Sequence, residues 1–258
     1  MAARSYGQYC GVTRAVELVG ERWALLIVRD LLVGPRRYTD LKQGLPRIPT
    51  NILSTRLKEL QEGGVVQRVP IARCGLVYEL TPYGRALEPI MLALGRWGFQ
   101  AMGDPAEGDA VTPDSLTMAL RTSFRPERAV DADFELHVGD VALRARVRDR
   151  ALTVVQLVPP APPVGGALPA GEPESVIVAG PGIRALIGGE ITAEEALAQG
   201  IVEVVRGDAA ILAAFAGMFR IDPLPAAGSR GVGADPEPGA GADPGPGAGP
   251  RTGADARS

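Results

Sequence analysis

The sequence predicts an α+β chain with a helical, basic front and a strand-rich, acidic back, on three observations. Apolar residues recur at helical spacing through the first hundred positions, at Val12, Ala15, Val16 and Val19 and again at Leu53, Leu57 and Leu60. Strict alternation takes over later, in Phe134-Glu135-Leu136-His137-Val138 and from Val141 to Val147. Charge divides the same way: residues 1–100 hold 14 Lys+Arg against 8 Asp+Glu, and residues 101–224 hold 10 against 18, an asymmetry that the net charge of −3 conceals. A basic module joined to an acidic one suits a polyanion-binding part fused to a part that stays off the polyanion.

Composition removes many functions. No stretch of the 258 residues reaches the roughly 18 apolar positions of a membrane span, and Met1 to Tyr9 has no apolar run to act as a secretion signal. A cytoplasmic protein with no membrane partner is therefore expected. Two cysteines, Cys10 and Cys74, exclude a disulfide scaffold, and the single histidine, His137, excludes sites built from several imidazoles. No metal or cofactor is expected. Gly165-Gly166 and Gly188-Gly189 lack the lysine of a phosphate-cradling loop, and no nucleophile-elbow motif occurs, so an enzyme is not expected.

Breaks in composition mark the domains. Met102 to Pro113 clusters Gly, Pro and acids without periodicity, which divides the chain into residues 1–100, a linker over 101–113 and a second domain over 114–224. The final 34 residues, 225–258, contain 9 Gly, 8 Ala and 6 Pro; such a segment cannot bury a core and is expected to be disordered.

The front domain reads as helices from Val12 to Val19, Trp23 to Val33 (apolar nearly all round, hence central), Tyr38 to Gln43 and Thr50 to Gln61. Pro49 suits the start of the fourth helix and Gly63-Gly64 its end. Its buried stripe is Leu53, Leu57 and Leu60. The opposite face presents Thr50, Asn51, Ser54, Thr55 and Lys58, with Arg56 at the edge. Two helices in tight succession, the second showing hydroxyls, an amide and cations, form a helix-turn-helix able to reach base edges and phosphates. Val65 to Val69 and Leu76 to Leu80 then alternate as a hairpin, which makes a wing carrying Arg68 and Arg73. A last helix, Tyr83 to Gly98, has apolar Leu87, Ile90, Met91, Leu94 and Trp97 in excess of what this domain needs, which suggests a dimer seam.

Four motifs in order carry a resemblance. They are Gly20-Glu21-Arg22-Trp23, Gly34-Pro35-Arg36-Arg37-Tyr38-Thr39-Asp40-Leu41, Ile48 through Leu60, and Tyr78-Glu79-Leu80-Thr81-Pro82-Tyr83-Gly84. Residues 8–98 thereby resemble the HxlR family of bacterial winged-helix transcriptional regulators. The resemblance implies a homodimer on double-stranded DNA with a pseudo-palindromic operator, seamed by the first and last helices. It also implies a redox-sensing role for Cys10, whose thiol stands beside Arg4 and Arg14 in the sequence. The DNA-binding candidates are Arg36, Arg37, Tyr38, Thr50, Asn51, Ser54, Thr55, Arg56, Lys58, Arg68 and Arg73.

The back domain reads as a helix from Leu116 capped by Asp114, three strands ending at Leu157, a fourth over Ser175 to Ala179, and a helix to Gln199 with a Thr192/Glu195 capping box. A fifth strand over Ile201 to Val205 and a final helix to Phe219 complete it. This order, with Gly188-Gly189-Glu190 and Arg206-Gly207-Asp208, resembles the sterol-carrier-protein-like domain, a five-stranded sheet with helices. The resemblance implies an apolar ligand site between sheet and helices, for which the candidates are Leu116, Leu120, Leu186, Phe215, Met218 and Phe219. A DNA-binding regulator sensing a hydrophobic small-molecule effector is expected; the alternatives are a ligand-sequestering carrier and a thiol sensor acting through Cys10. On this division, deleting residues 102–258 should spare DNA binding.

Overall fold

The computed structural model describes residues 5–71, 75–103, 105–157 and 171–223. The expected tail over 225–258, Arg4, Arg73, Cys74 and residues 158–170 lie outside the described residues.

The front half runs α1 (Gly11–Val19), α2 (Ala24–Val33), α3 (Tyr38–Gly44), α4 (Thr50–Glu62), β1 (Val66–Ile71), β2 (Gly75–Leu80), α5 (Pro82–Arg85) and α6 (Glu88–Phe99). The apolar helix α2 is central, and Ile27, Val28 and Leu31 are inaccessible to solvent. Leu53, Leu57 and Leu60 pin one face of α4 to it, leaving the other face outside. β1 and β2 pair antiparallel from Val66↔Leu80 to Ile71↔Gly75. Arg36 adds a third, one-residue rung: its N–H donates to Tyr78 O at 2.9 Å and its carbonyl accepts from Tyr78 N–H at 2.7 Å. The wing is therefore tied to the segment that enters α3. The single long last helix expected from Tyr83 onward is instead two, because Pro89 cannot supply the N–H that would continue α5 into α6. Gly84 sits at that corner, where a Cβ would lie 2.1 Å from Val65 O, so only glycine lets α5 close on the hairpin.

The back half runs α7 (Pro113–Ser123), a 3₁₀ turn (Pro126–Arg128), β3 (Ala132–Val138), β4 (Val141–Arg148), β5 (Ala151–Gln156), β6 (Ser175–Ala179), α8 (Ile183–Gly188), α9 (Ala193–Ala198), β7 (Val202–Arg206) and α10 (Ala210–Met218). Its five strands lie in the order β5-β4-β3-β6-β7, with β3 and β6 parallel and every other pair antiparallel. Phe134, Leu136 and Val138 of β3 meet the helices on the inner face. On the outer face Asp133 accepts from Arg144 Nε at 2.8 Å and from Arg146. The capping box of α9 forms as expected, Thr192 with Glu195.

α7 belongs to both cores. Met118 packs in the winged core, whereas Leu116 and Leu120 pack in the sheet core. The cap of α7 is Thr112 rather than Asp114. Asp114 turns instead onto Arg36, with Arg36 Nη2–Oδ1 at 2.6 Å and Nε–Oδ2 at 3.3 Å, and Gln156 of β5 donates to the same Oδ1 at 2.7 Å. Arg121 adds a bond from Nη1 to Leu32 O at 3.0 Å. Between α6 and α7, Gly95 admits the Thr122 methyl, which a Cβ would meet at 2.9 Å.

Asp30 of α2 is fully buried beside this junction. Its Oδ1 accepts from Arg29 at 2.8 Å, and its Oδ2 has no hydrogen-bond partner among the described residues. Burial pushes its pKa up to about 7 against the pull of Arg29 and Arg36, and the Asp114 carboxylate adds to the rise. A carboxyl whose folded pKa lies above its unfolded one holds a proton that the unfolded chain has released, so stability falls as pH rises from about 4 to about 7. Asp30→Asn, which imitates the protonated form, is expected to raise the melting temperature at about pH 8, with the advantage shrinking towards about pH 4. Thermal melts across that range measure it; a pH-independent difference would contradict it.

Candidate nucleic-acid interface

α3, the turn over residues 45–49 and α4 form a helix-turn-helix whose second helix is held from behind by leucines and faces outward with polar side chains. Tyr38 locks the two helices together, its hydroxyl donating to Thr50 O at 2.8 Å and lying 3.2 Å from Ser54 Oγ. Tyr38 is thus half-buried and acts on the geometry of the pair.

The hydroxyls of α4 are turned into their own helix. Ser54 Oγ donates to Thr50 O at 3.0 Å and Thr55 Oγ1 to Asn51 O at 2.9 Å. Each keeps lone pairs to accept a base amino group, but its proton is engaged. Asn51 is different: it is exposed, and its side-chain amide makes no hydrogen bond with another described residue. It retains both a donor and an acceptor, the combination that pairs two-pronged with an adenine edge. Thr50 and Lys58 are exposed on the same side, Lys58 in a loose pair with Glu62 at 3.7 Å.

The arginines divide. Arg68 stands exposed on β1 with its guanidinium 5.5 Å from the Tyr78 ring centroid, which braces it on the hairpin. Arg37 is half-buried at the cap of α3, where its N–H donates to Asp40 Oδ2 at 2.8 Å. Two candidates are turned away from the outer face. Arg36 is 5% exposed and committed to Asp114. Arg56 points back to the α1–α2 turn, pairing with Glu21 at 3.1 Å and with Glu59. Neither the motif that carries Arg36 nor the helical position of Arg56 holds information about a carboxylate distant in sequence. Arg73 lies outside the described residues. The sequence reading passed over two basic groups: Arg47, held by Gly108 O at 2.8 Å, and Lys42, held by Pro46 O at 3.0 Å. Lys42 lies in the last turn of α3 and Arg47 in the turn before α4, and only their closeness to α4 in sequence signals them.

Cys10 is exposed at the N-terminus of α1. Its thiol pKa is lowered, first by the Thr13 N–H and then by the Val12 N–H, while Arg14 is occupied by Glu17 at 3.3 Å. The helix end, not a neighbouring cation, is what favours the thiolate. The six residues proposed to line an apolar site all lie in the sheet core, at most 6% exposed, with Phe215 stacked on Phe219 at 4.8 Å between ring centroids. Among the described residues no group of three or more His, Cys, Asp or Glu is placed to hold a metal, and no helix is long and apolar enough to cross a membrane.

Residues 18–105 match the HxlR-like helix-turn-helix family. YvaP of Bacillus subtilis, described as an uncharacterized HTH-type transcriptional regulator, is 40% identical over 86 residues, which is 33% of this chain and 80% of that protein. The HTH-type transcriptional regulator YodB of the same organism is 34% identical over 88 residues, covering 33% of this chain and 79% of YodB. A crystal structure of quinone-bound YodB aligns at 32% identity over 34% of this chain and 96% of that one, with a TM-score of 0.31. With its helix-turn-helix and wing in place and its match to YvaP spanning four-fifths of that relative, the chain belongs to the HxlR-like helix-turn-helix family of transcriptional regulators.

Proposed function

We propose that this protein binds a pseudo-palindromic operator as a homodimer, reading it through α4, and that its C-terminal half, a sterol-carrier-protein-like domain, senses a hydrophobic small molecule. The observation that carries the DNA reading is the outer face of α4, where Asn51 stands unengaged among Thr50, Ser54 and Lys58, with Arg68 exposed on the wing. In favour of the dimer, Val12 and Val16 of α1 and Ile90 and Leu94 of α6 are exposed apolar residues on the two helices expected to form the seam. In favour of the sensor, the sheet carries its helices on one face around an apolar interior. Phe134, Phe215 and Phe219 fill that interior, so a ligand enters by moving α10 off the sheet. The junction at α7 then hands the movement to α2 and the wing.

Mobility-shift titration of the protein's own upstream DNA, with and without candidate apolar metabolites, tests both parts. Arg68→Gln is expected to weaken binding evenly across DNA sequences and to reduce the slope of log affinity against log salt by about 1, as one lost phosphate contact should. An unchanged slope would remove Arg68 from the interface. A second reading, thiol sensing, is favoured by the exposure of Cys10 and by the helix end that lowers its pKa. Peroxide treatment of the wild type and of Cys10→Ser in the same assay separates the two.

A further inference from the structure

A cleft of about 510 Å³ opens between α6 and the segment that follows α10, with no residue of α3 or α4 in its lining. One wall is α6, contributing Arg96 and Trp97. The other is a narrow ribbon in which Arg125 N–H donates to Met218 O at 2.7 Å and Arg220 N–H to Ser123 O at 2.8 Å. Phe124 and Ile221 supply apolar lining, with Phe124 backed by Phe219 at 5.6 Å between ring centroids.

Charge in the cleft is unbalanced. Arg96, Arg125 and Arg220 face two carboxylates, Asp222 and Glu127. Asp222 is shared: it takes Arg220 Nε at 2.9 Å and Arg125 Nη2, and these bonds hold its carboxyl below the usual range, so it stays ionised. Arg96 spends only Nε, on Thr122 O at 3.0 Å, and its two terminal nitrogens bond to no other described residue. Arg220 keeps its place because residue 189 is glycine; a Cβ there would lie 2.2 Å from its guanidinium. Trp97, 68% exposed, offers an indole face beside these donors. It stands at the border between the cleft and the expected dimer stripe of Ile90 and Leu94.

We propose that this cleft binds a planar aromatic carboxylate, its rings against Trp97, Phe124 and Ile221 and its carboxylate on Arg96 and Arg125. The guanidinium fork matches a carboxylate in two-pronged geometry, and the flat faces of indole and guanidinium suit an aromatic body. The volume lies within the range of about 300–1,000 Å³ typical of small-molecule sites. Nothing in this assignment depends on DNA, so it stands or falls apart from the reading of α4.

Isothermal titration of the full-length protein with 2-naphthoate, without DNA, is the test. Saturable binding at one site per chain is expected, with a dissociation constant of about 0.1–1 mM. Arg96→Gln and Trp97→Leu are each expected to weaken it by about tenfold or more, and the uncharged analogue 2-naphthalenemethanol to bind the wild type correspondingly less well. Both replaced side chains are exposed, so the fold is retained; Arg150→Gln, in the exposed turn between β4 and β5, serves as the variant with unchanged affinity for the probe. No saturation by about 10 mM, or equal affinity in the wild type, Arg96→Gln and Trp97→Leu, would overturn the assignment.

Discussion

Asp114→Ala is expected to lower the free energy of unfolding by about 3–5 kcal/mol, because it strands a buried guanidinium. Arg36 and Asp114 have side chains only 5% and 8% exposed, and their two hydrogen bonds close a contact between residues 78 apart in sequence. Removing the carboxylate leaves Arg36 with the Pro35 carbonyl at 3.1 Å and a long bond to Gln156 Oε1 at 3.4 Å. Gln156 Nε2 loses its best acceptor at the same time. Urea denaturation measures the effect, and a loss below about 1 kcal/mol would show that the pair does not hold the junction. The same contacts revise what truncation should do. Deleting residues 102–258 removes Met118 from the winged core and the bond from Arg121 to Leu32, so the shortened protein is expected to melt lower and to bind DNA less well. The expectation that DNA binding would be spared assumed a linker between independent domains; the winged core and the sheet core instead share α7.

Asn51→Ala is expected to cost about 1–3 kcal/mol of discrimination between the operator and unrelated DNA while leaving non-specific affinity nearly intact. The asymmetry follows from chemistry. On the proposed reading, an amide on the outer face of α4 recognises base edges, whereas affinity for any duplex comes from cations on phosphates, the role proposed for Lys58 and Arg68. Ser54→Ala should cost less, since the Ser54 hydroxyl proton is already held by Thr50 O. Competition binding with a scrambled duplex separates the two quantities. Equal loss on both duplexes would assign Asn51 to the backbone rather than to the bases.

The parts of this structure governed by short-range rules were legible in the sequence. The stripe Leu53, Leu57, Leu60 placed α4 and its outward face, period-2 alternation placed β3 and β4, and Thr192 with Glu195 placed the start of α9. The reading lost ground wherever a partner came from far along the chain. Arg36 and Arg56 looked like surface cations because neither a local motif nor a helical position says anything of Asp114 or Glu21. Asp114 looked like a cap because an acid at a helix start commonly is one, yet Thr112 lies one residue outside Pro113, with the geometry a cap requires. The six-residue helix α8, between Gly182 and Gly189, is too short to show a period. Tyr38, which braces α3 against α4, carries in its tyrosine-to-serine spacing of sixteen residues no signal that pattern reading can use.

The most direct measurement is fluorescence anisotropy of the full-length protein on a duplex from its own upstream region, against a scrambled duplex of equal composition, at about 0.15 M salt. A regulator that reads bases through α4 should prefer its own site by about a thousandfold or more, and Asn51→Ala should narrow that ratio. Equal affinity for the two duplexes, unchanged by Asn51→Ala, would contradict the assignment of α4 as the reading helix.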